Sequence, residues 1–130
     1  MVDLLVALDD YIELVRSGDS LRAIEKYYAD EVVVRENRTL SRAGKDQCLE
    51  FEQHMLEKTP RRPRIRCKSR AVDSLSGTTF VEWVVRFIAP DGHVMLLEQV
   101  AVARWNQDQI VEERFYYEGF VDEGSADDDF

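Results

Sequence analysis

The sequence has few of the residues that usually carry metals, cofactors or disulfides. It contains two cysteines and two histidines, and His54 and His93 have no neighbouring ligands at the spacing of a metal site. A glycine-rich phosphate loop and a Ser-His-Asp signature are also missing. The sequence therefore predicts no metal and no dissociable cofactor. Cys48 and Cys67 lie in apolar patterns and are expected to be reduced core thiols.

Basic residues and long apolar runs are scarce as well. The chain has 17 Lys and Arg against 26 Asp and Glu, a net charge of -9. This balance argues against a nucleic-acid partner, because binding to a phosphate backbone depends on clustered cations. No apolar run approaches the roughly 18 residues of a membrane span, and the first residues lack the basic region of a secretory signal. We therefore expect a cytoplasmic protein with no nucleic-acid or membrane partner.

The apolar residues follow a helical period in the first half of the chain and a strand period in the second. With 130 residues and 45% hydrophobic content, the chain suits one domain that buries roughly two thirds of its unfolded surface. The predicted elements are helices over about 3–16, 21–28 and 45–58, then strands over 32–36, 64–71, 78–88, 94–105 and 109–117, with a polar connection at 37–44. This order predicts an α+β fold in which helices cover one face of a curved, mostly antiparallel sheet.

The end of the chain differs in composition from the rest. Residues 122–130 are rich in aspartate and glutamate and poor in apolar groups. Such a segment cannot bury enough apolar surface to offset the entropy of ordering it. We therefore predict a single domain over residues 1–121 and an acidic disordered tail over 122–130.

The order of elements and several local runs resemble the nuclear transport factor 2-like superfamily of cone-shaped α+β domains, particularly its SnoaL-like and ketosteroid-isomerase-like branches. The clearest match is the run Tyr-Ile-Glu-Leu-Val from Tyr11, followed by Gly18-Asp19 and by Tyr28-Ala29-Asp30. The resemblance covers nearly the whole chain. It implies three N-terminal helices packed on the concave face of the sheet, with a pocket for a small molecule inside.

The resemblance also implies roles for individual residues. Tyr11 would donate a hydrogen bond to an oxyanion, Glu36 at the end of the first strand would be the catalytic base, and Tyr28 would support the donor. Apart from the resemblance, a carboxylate in an apolar pocket is a good candidate for a base, because desolvation raises its pKa. The chain departs from the isomerase pattern at Ala101, which replaces a protonated aspartate that donates the second hydrogen bond, so steroid isomerisation is not expected.

Alternation along the later strands adds to the predicted pocket. Residues 97, 99, 101 and 103 share one face of their strand, and 113, 115 and 117 share one face of the last. Glu113 would lie deeper in the pocket or at its edge. Either face of the strand segment 79–87 could point inward. The predicted ligand-binding residues are Tyr28, Phe51, Met55, Leu97, Gln99, Ala101, Phe115 and Tyr117.

Two functions fit these residues. One is a cofactor-independent enzyme of the isomerase, cyclase or dehydratase type that moves a proton on a small apolar or cyclic compound. The other is a noncatalytic ligand-binding or dimerisation domain with the same fold, in which Tyr11 is a core residue and Glu36 a partner of Arg35 or Arg38. The outer sheet face, with Val100 and Val102 between mixed charges, suits either a homodimer interface or a salt-bridged surface.

Overall fold

The computed structural model describes residues 3–130, so the first two residues of the predicted domain lie outside the described part. Residues 3–130 form three helices and seven strands. The elements are α1 (Leu4–Arg16), α2 (Ser20–Tyr27), β1 (Tyr28–Glu36), β2 (Thr39–Ala43), α3 (Lys45–Lys58), β3 (Arg64–Asp73), β4 (Thr78–Ile88), β5 (His93–Asn106), β6 (Gln109–Tyr116) and β7 (Phe120–Ser125).

The seven strands form one curved sheet, in which six follow the order β2-β1-β6-β5-β4-β3 and β7 pairs with β5. Only the β1–β6 contact is parallel among the described strand pairs, and the others are antiparallel. The three helices lie on the inner face, where their apolar sides and the inward side chains of the strands form one core. The predicted α+β architecture, with three N-terminal helices on the concave face of a mostly antiparallel sheet, is confirmed.

Local signals explain where the first helices begin and end. The Asp3 carboxylate caps α1 by accepting hydrogen bonds from the backbone N–H groups of Leu5 (3.1 Å) and Val6 (3.2 Å). Gly18 follows the helix with a φ of 89°, a left-handed conformation that glycine adopts most readily. The turn directs α2 back across α1, which places Tyr11 of α1 against Tyr27 and Tyr28.

Two strands are absent from the prediction. Residues 37–44 were expected to be a polar connection, but Thr39–Ala43 forms β2, paired with β1. Asn37 turns the chain with a φ of 53°, a conformation that asparagine tolerates better than most residues. The prediction for this segment was wrong because β2 is a short edge strand without an alternating apolar pattern.

The predicted disordered tail is wrong for residues 122–125. These residues belong to β7, which pairs with the half of β5 that β6 does not reach, from His93 to Leu97. Phe120 packs edge-on against Phe87 at 5.7 Å, and Asp122 contacts His93 at 2.8 Å. The open backbone edge of β5 supplies partners that the composition of the segment alone does not reveal.

A β-bulge in β3 changes which of its residues face the core. Cys67 pairs with Trp83, but Ser69 pairs with Glu82, so the register shifts by one residue between them. A shift of one residue moves the following side chains to the opposite face. The alternation expected from Ile65 to Ala71 therefore ends at the bulge, and Val72 packs against the core instead of Ala71.

The described residues include no helix that is long and apolar enough to span a membrane.

Candidate functional site

A cavity of ≈ 160 Å³ lies between the helices and the inner face of the sheet. Its polar groups come from several elements, and its apolar wall is formed by aromatic and aliphatic side chains. The lining residues are Tyr11, Val15, Ser20, Ala23, Ile24, Tyr28, Arg42, Cys48, Phe51, Glu52, Ile65, Trp83, Val85, Gln99 and Phe115. The volume is close to that of an apolar protein cavity that binds benzene, about 150 Å³, so a single small ring would fill it.

Two phenols that line the cavity bind a buried carboxyl group behind its inner wall. The Tyr11 hydroxyl donates a hydrogen bond to Glu113 Oε1 at 3.1 Å, and the Tyr28 hydroxyl donates to the same oxygen. Glu113 is 2% exposed, Tyr11 6% and Tyr28 4%. Both tyrosines line the cavity. We call these three residues the inner cluster.

The sheet register explains why Glu113 is so deeply buried. On β6 it lies opposite Val34 of β1 on one side and Ala103 of β5 on the other. Both neighbours are buried and apolar, so they offer the carboxyl group no polar contact. The tyrosine hydroxyls approach from α1 and from the start of β1 and supply the hydrogen bonds that a buried carboxyl group requires.

Burial changes the titration of the whole inner cluster. Desolvation raises the pKa of the Glu113 carboxyl, while the Tyr28 and Tyr11 hydroxyls and the charge of Arg42 oppose that rise. Desolvation and the nearby negative charge of Glu113 raise the pKa of both phenols well above their usual value. The tyrosines therefore keep their protons at neutral pH, and Glu113 is the group in the cluster that can exchange one.

Glu36 occupies a different place from the one predicted. Its carboxylate accepts hydrogen bonds from the Tyr117 hydroxyl and the Ser41 hydroxyl, both at 2.8 Å, and lies 3.6 Å from Arg42 Nη1. The Glu36 side chain is 35% exposed. We call Glu36, Ser41, Arg42 and Tyr117 the mouth cluster, because they surround the open end of the cone.

The predicted meeting of Tyr11 and Glu36 is therefore corrected. Glu36 lies opposite Phe115, whereas Val34 lies opposite Glu113, so Glu36 is about 7 Å farther along the strand than the level of the inner cluster. The acid that meets Tyr11 is Glu113, which comes from β6 and not from the end of β1. Ala101 supplies no donor and lies opposite Phe115, whereas Glu113 lies two residues away along β6, opposite Ala103.

The other predicted pocket residues divide into two groups. Tyr28, Phe51, Gln99 and Phe115 line the cavity. Met55, Leu97, Ala101 and Tyr117 lie outside its lining. Met55 is in the last turn of α3 and is 41% exposed, and Leu97 pairs with Phe120 of β7. Ala101 lies between its strand neighbours Val81 and Phe115. The Tyr117 hydroxyl donates its hydrogen bond to Glu36.

A second pocket of ≈ 170 Å³ adjoins the cavity near the turn between α1 and α2. The two share Val15, Ser20, Glu52 and Ile65 as lining residues. The Ser20 hydroxyl donates a hydrogen bond to Glu52 Oε2 at 2.9 Å, so a polar contact lies where they adjoin. A ligand larger than one ring would have to separate these two side chains.

Sequence reasoning missed the importance of Glu113 and of Arg42. The signal for Glu113 was its place on the same strand face as Phe115, which indicated an inward direction but not its depth. Arg42 lay in the segment predicted to be a connection, so its direction could not be read from a strand period. The inward face of β4 was also left open, and the structure places Val81, Trp83 and Val85 in or against the core.

The profile of the SnoaL-like domain matches residues 8–113, which is more than half of the chain. No curated protein has significant sequence similarity to the chain.

Similar solved structures share the fold at low sequence identity. A protein provisionally named a polyketide cyclase, from Xanthomonas campestris pv. campestris, is 18% identical with a TM-score of 0.75, covering 88% of this chain and 90% of that one. A nuclear transport factor 2-like protein of unknown function from Burkholderia pseudomallei is 16% identical with a TM-score of 0.75, covering 91% and 92%. An LEH-like epoxide hydrolase from M. tuberculosis is 11% identical with a TM-score of 0.72, covering 88% and 82%.

Proposed function

The chain belongs to the SnoaL-like family of the nuclear transport factor 2-like superfamily, and we propose that it binds a small ring compound and moves a proton on it without a cofactor. The observation that carries the proposal is the inner cluster, in which a buried carboxyl group is bound by two phenols that line a cavity. Because burial raises the pKa of the Glu113 carboxyl, its ionised form is a stronger base than an ordinary carboxylate. The names of similar structures, which include a cyclase and an epoxide hydrolase, are compatible with such chemistry.

The tyrosines would contact the ligand, and Glu113 would act through them. Tyr28 accepts a proton from an acidic position of the ligand while its own hydroxyl proton moves to ionised Glu113, so neither phenol becomes charged. As the proton neutralises Glu113, the Tyr11 O–H turns from that carboxyl group and donates a hydrogen bond to the ligand oxygen on which negative charge develops. Return of the proton from Glu113 to another ligand atom completes an isomerisation, cyclisation or dehydration and restores the carboxylate.

Hydrogen–deuterium exchange at the α-carbon of small cyclic ketones tests this proposal. Cyclopentanone and 2-cyclohexenone match the cavity in size, and proton NMR in D2O follows their exchange. We expect the protein to accelerate exchange, and Glu113→Gln and Tyr28→Phe each to lower the rate by about 100-fold, the lower end of general-base contributions. Unchanged exchange in Glu113→Gln would contradict the role of the inner cluster.

Matched variants separate this effect from a general change of the sheet. Glu112→Gln alters the adjacent residue on the same strand, where the side chain contacts Arg35 and Arg104 outside the cavity. Tyr116→Phe removes a phenol hydroxyl from a residue that is 47% exposed. Both variants should retain the exchange rate of the unmodified protein.

A noncatalytic ligand-binding domain is the second candidate. The observation that favours it is that both inner hydroxyls already donate to Glu113, which satisfies the cluster as a structural network. In that case a cyclic ketone would shift the indole resonance of Trp83, which lines the cavity, without any enzyme-dependent exchange at its α-carbon.

We also propose that a second copy of the chain covers the outer face of β4, β5 and β6. Phe80, Val100 and Tyr116 are 38%, 39% and 47% exposed, and Val100 and Tyr116 are paired across adjacent strands. A second copy would bury these apolar groups, and light scattering after gel filtration would give the mass of a dimer. Val100→Glu should shift that mass to the monomer, and a monomeric unmodified protein would contradict the proposal.

A further inference from the structure

Arg42 is a largely buried cation at the wall of the cavity. Its side chain is 13% exposed, and it extends from the edge strand β2 into the cavity lining. The guanidinium carbon lies 4.0 Å from the centre of the Phe51 ring, which lines the same cavity. This cation–π contact restricts the movement of the guanidinium group.

The protein compensates the charge of Arg42 only in part. Nη1 donates to the Ser41 hydroxyl at 3.0 Å and lies 3.6 Å from Glu36 Oε2. Within residues 3–130, the Ser41 hydroxyl is the only oxygen that accepts a hydrogen bond from Arg42. The Cys48 thiol lies beside the guanidinium group, and both side chains line the cavity. Glu36 is itself shared with Tyr117 and Ser41.

A neutral ligand and an anionic ligand would affect this cation differently. A neutral ring that fills the cavity removes water from the guanidinium group and supplies no hydrogen-bond acceptor in its place, which is unfavourable. A carboxylate accepts two parallel N–H groups from the planar fork, in a charge-assisted contact. At the other end of the cavity, both tyrosine O–H groups of the inner cluster donate to Glu113, so their oxygens can accept a hydrogen bond from a hydroxyl group of the ligand.

We propose that Arg42 binds a carboxylate of the ligand, so that the cavity selects small ring-containing carboxylic acids in their ionised form. This proposal rests on the binding part of the proposed function and not on its proton transfer. It makes Arg42 the residue that determines specificity and orientation, with the ring against Trp83 and Phe115. Glu36 then competes with the ligand for Arg42 and limits its affinity.

Benzoate and benzyl alcohol test the proposal, because they have nearly the same shape and differ in charge. The chain has two tryptophans. The indole N–H resonance of Trp83 reports binding in the cavity, and that of Trp105, which bonds Thr79 in the core, serves as an internal reference. We expect benzoate to shift the Trp83 resonance at lower concentration than benzyl alcohol.

Variants assign the effect to Arg42. Arg42→Gln should weaken benzoate binding about tenfold or more, as expected for loss of a charge-assisted hydrogen bond, and should not weaken benzyl alcohol binding. Arg38→Gln removes the same charge from an exposed position of the same hairpin and should leave benzoate binding unchanged. Equal benzoate affinity in Arg42→Gln and the unmodified protein, or equal weakening in Arg38→Gln, would overturn the proposal.

Two further variants cover the case in which Arg42→Gln does not fold. Arg42→Lys keeps the charge but loses the fork, and it should bind benzoate more weakly than the unmodified protein. Glu36→Gln removes the competing carboxylate and should bind benzoate more tightly. Unchanged or weaker benzoate binding in Glu36→Gln would overturn the proposal.

The same titrations separate the two proposals. If benzyl alcohol binds and benzoate does not bind more tightly, the assignment of Arg42 is wrong, while the cavity still binds small rings. If neither probe shifts the Trp83 resonance, the cavity does not take such rings, and both this proposal and the binding part of the proposed function are wrong.

Discussion

Glu113 and Glu36 both accept hydrogen bonds from tyrosine hydroxyls, but their surroundings differ. Glu113 in the inner cluster is 2% exposed and is held by Tyr11 and Tyr28. The Glu36 side chain in the mouth cluster is 35% exposed and is held by Tyr117, with Ser41 and Arg42 nearby. The partners are similar in chemistry, so the two sites differ mainly in burial. Burial raises the pKa of the Glu113 carboxyl and makes the fold depend more strongly on the hydrogen bonds of that site.

Removal of each carboxyl group is the strongest test of this comparison. Glu113→Leu leaves two buried hydroxyls without an acceptor, and we expect it to lower the free energy of unfolding by about 4 kcal/mol, taking roughly 2 kcal/mol for each. Glu36→Leu should cost about 1 kcal/mol, because water can replace the carboxylate at a half-exposed site. Urea unfolding measures both values. Equal losses would show that burial does not distinguish the two clusters.

Removal of one hydroxyl from each cluster should give a smaller difference in the same direction. Tyr28→Phe deletes one of two donors to a buried carboxyl group and should cost about 2 kcal/mol. Tyr117→Phe deletes a donor to a group that water also reaches and should cost about 0.5 kcal/mol. Denaturation of the two variants under identical conditions measures the difference, and a larger loss for Tyr117→Phe would reverse our ranking of the clusters.

A third acid, Asp122, extends the comparison to the exposed surface and should give the smallest effect. It bonds His93 between β7 and β5, and this contact raises the pKa of His93. The pKa of His93 is therefore higher in the folded protein than in the unfolded chain. The His93–Asp122 contact contributes fully to stability below the usual histidine pKa of about 6.5, and this contribution is lost as the pH rises through the pKa of His93 in the folded protein.

Hydrogen exchange of the β7 amides measures this effect. Exchange rates, corrected for the intrinsic dependence on pH, should increase in the unmodified protein as the pH rises from about 6.5 through the pKa of His93 in the folded protein. In His93→Gln the corrected rates should be higher at low pH and should not change across the window. A pH dependence that persists in His93→Gln would exclude the His93–Asp122 contact as its cause.

The elements that the sequence predicted well are those whose side chains follow one period over a long stretch. The helix Lys45–Lys58 and the strand Thr78–Ile88 have the predicted limits, because each has a regular pattern and a turn or proline beyond its end. The strand Thr39–Ala43 and the strand Phe120–Ser125 depend on backbone edges offered by β1 and β5. Pairing of that kind is a tertiary contact, so local composition does not predict it.

The site was predicted in part for the same reason. Tyr11 and Tyr28 were named from a local run, and both line the cavity. The acid was placed at Glu36 because it ends an apolar strand, whereas the depth of Glu113 depends on the parallel β1–β6 contact. That contact joins segments far apart in the chain, and its register sets which carboxylate reaches the tyrosines.

Titration of the Glu113 carboxyl carbon by NMR tests the central claim most directly, with Glu113→Gln to identify the resonance. We predict a midpoint above the ordinary glutamate value of about 4.3, because burial raises the pKa. The midpoint should rise further in Tyr28→Phe, since the hydroxyl stabilises the carboxylate form. A midpoint at or below the ordinary value, unchanged in Tyr28→Phe, would contradict a buried, tyrosine-bound acid at the end of the cavity.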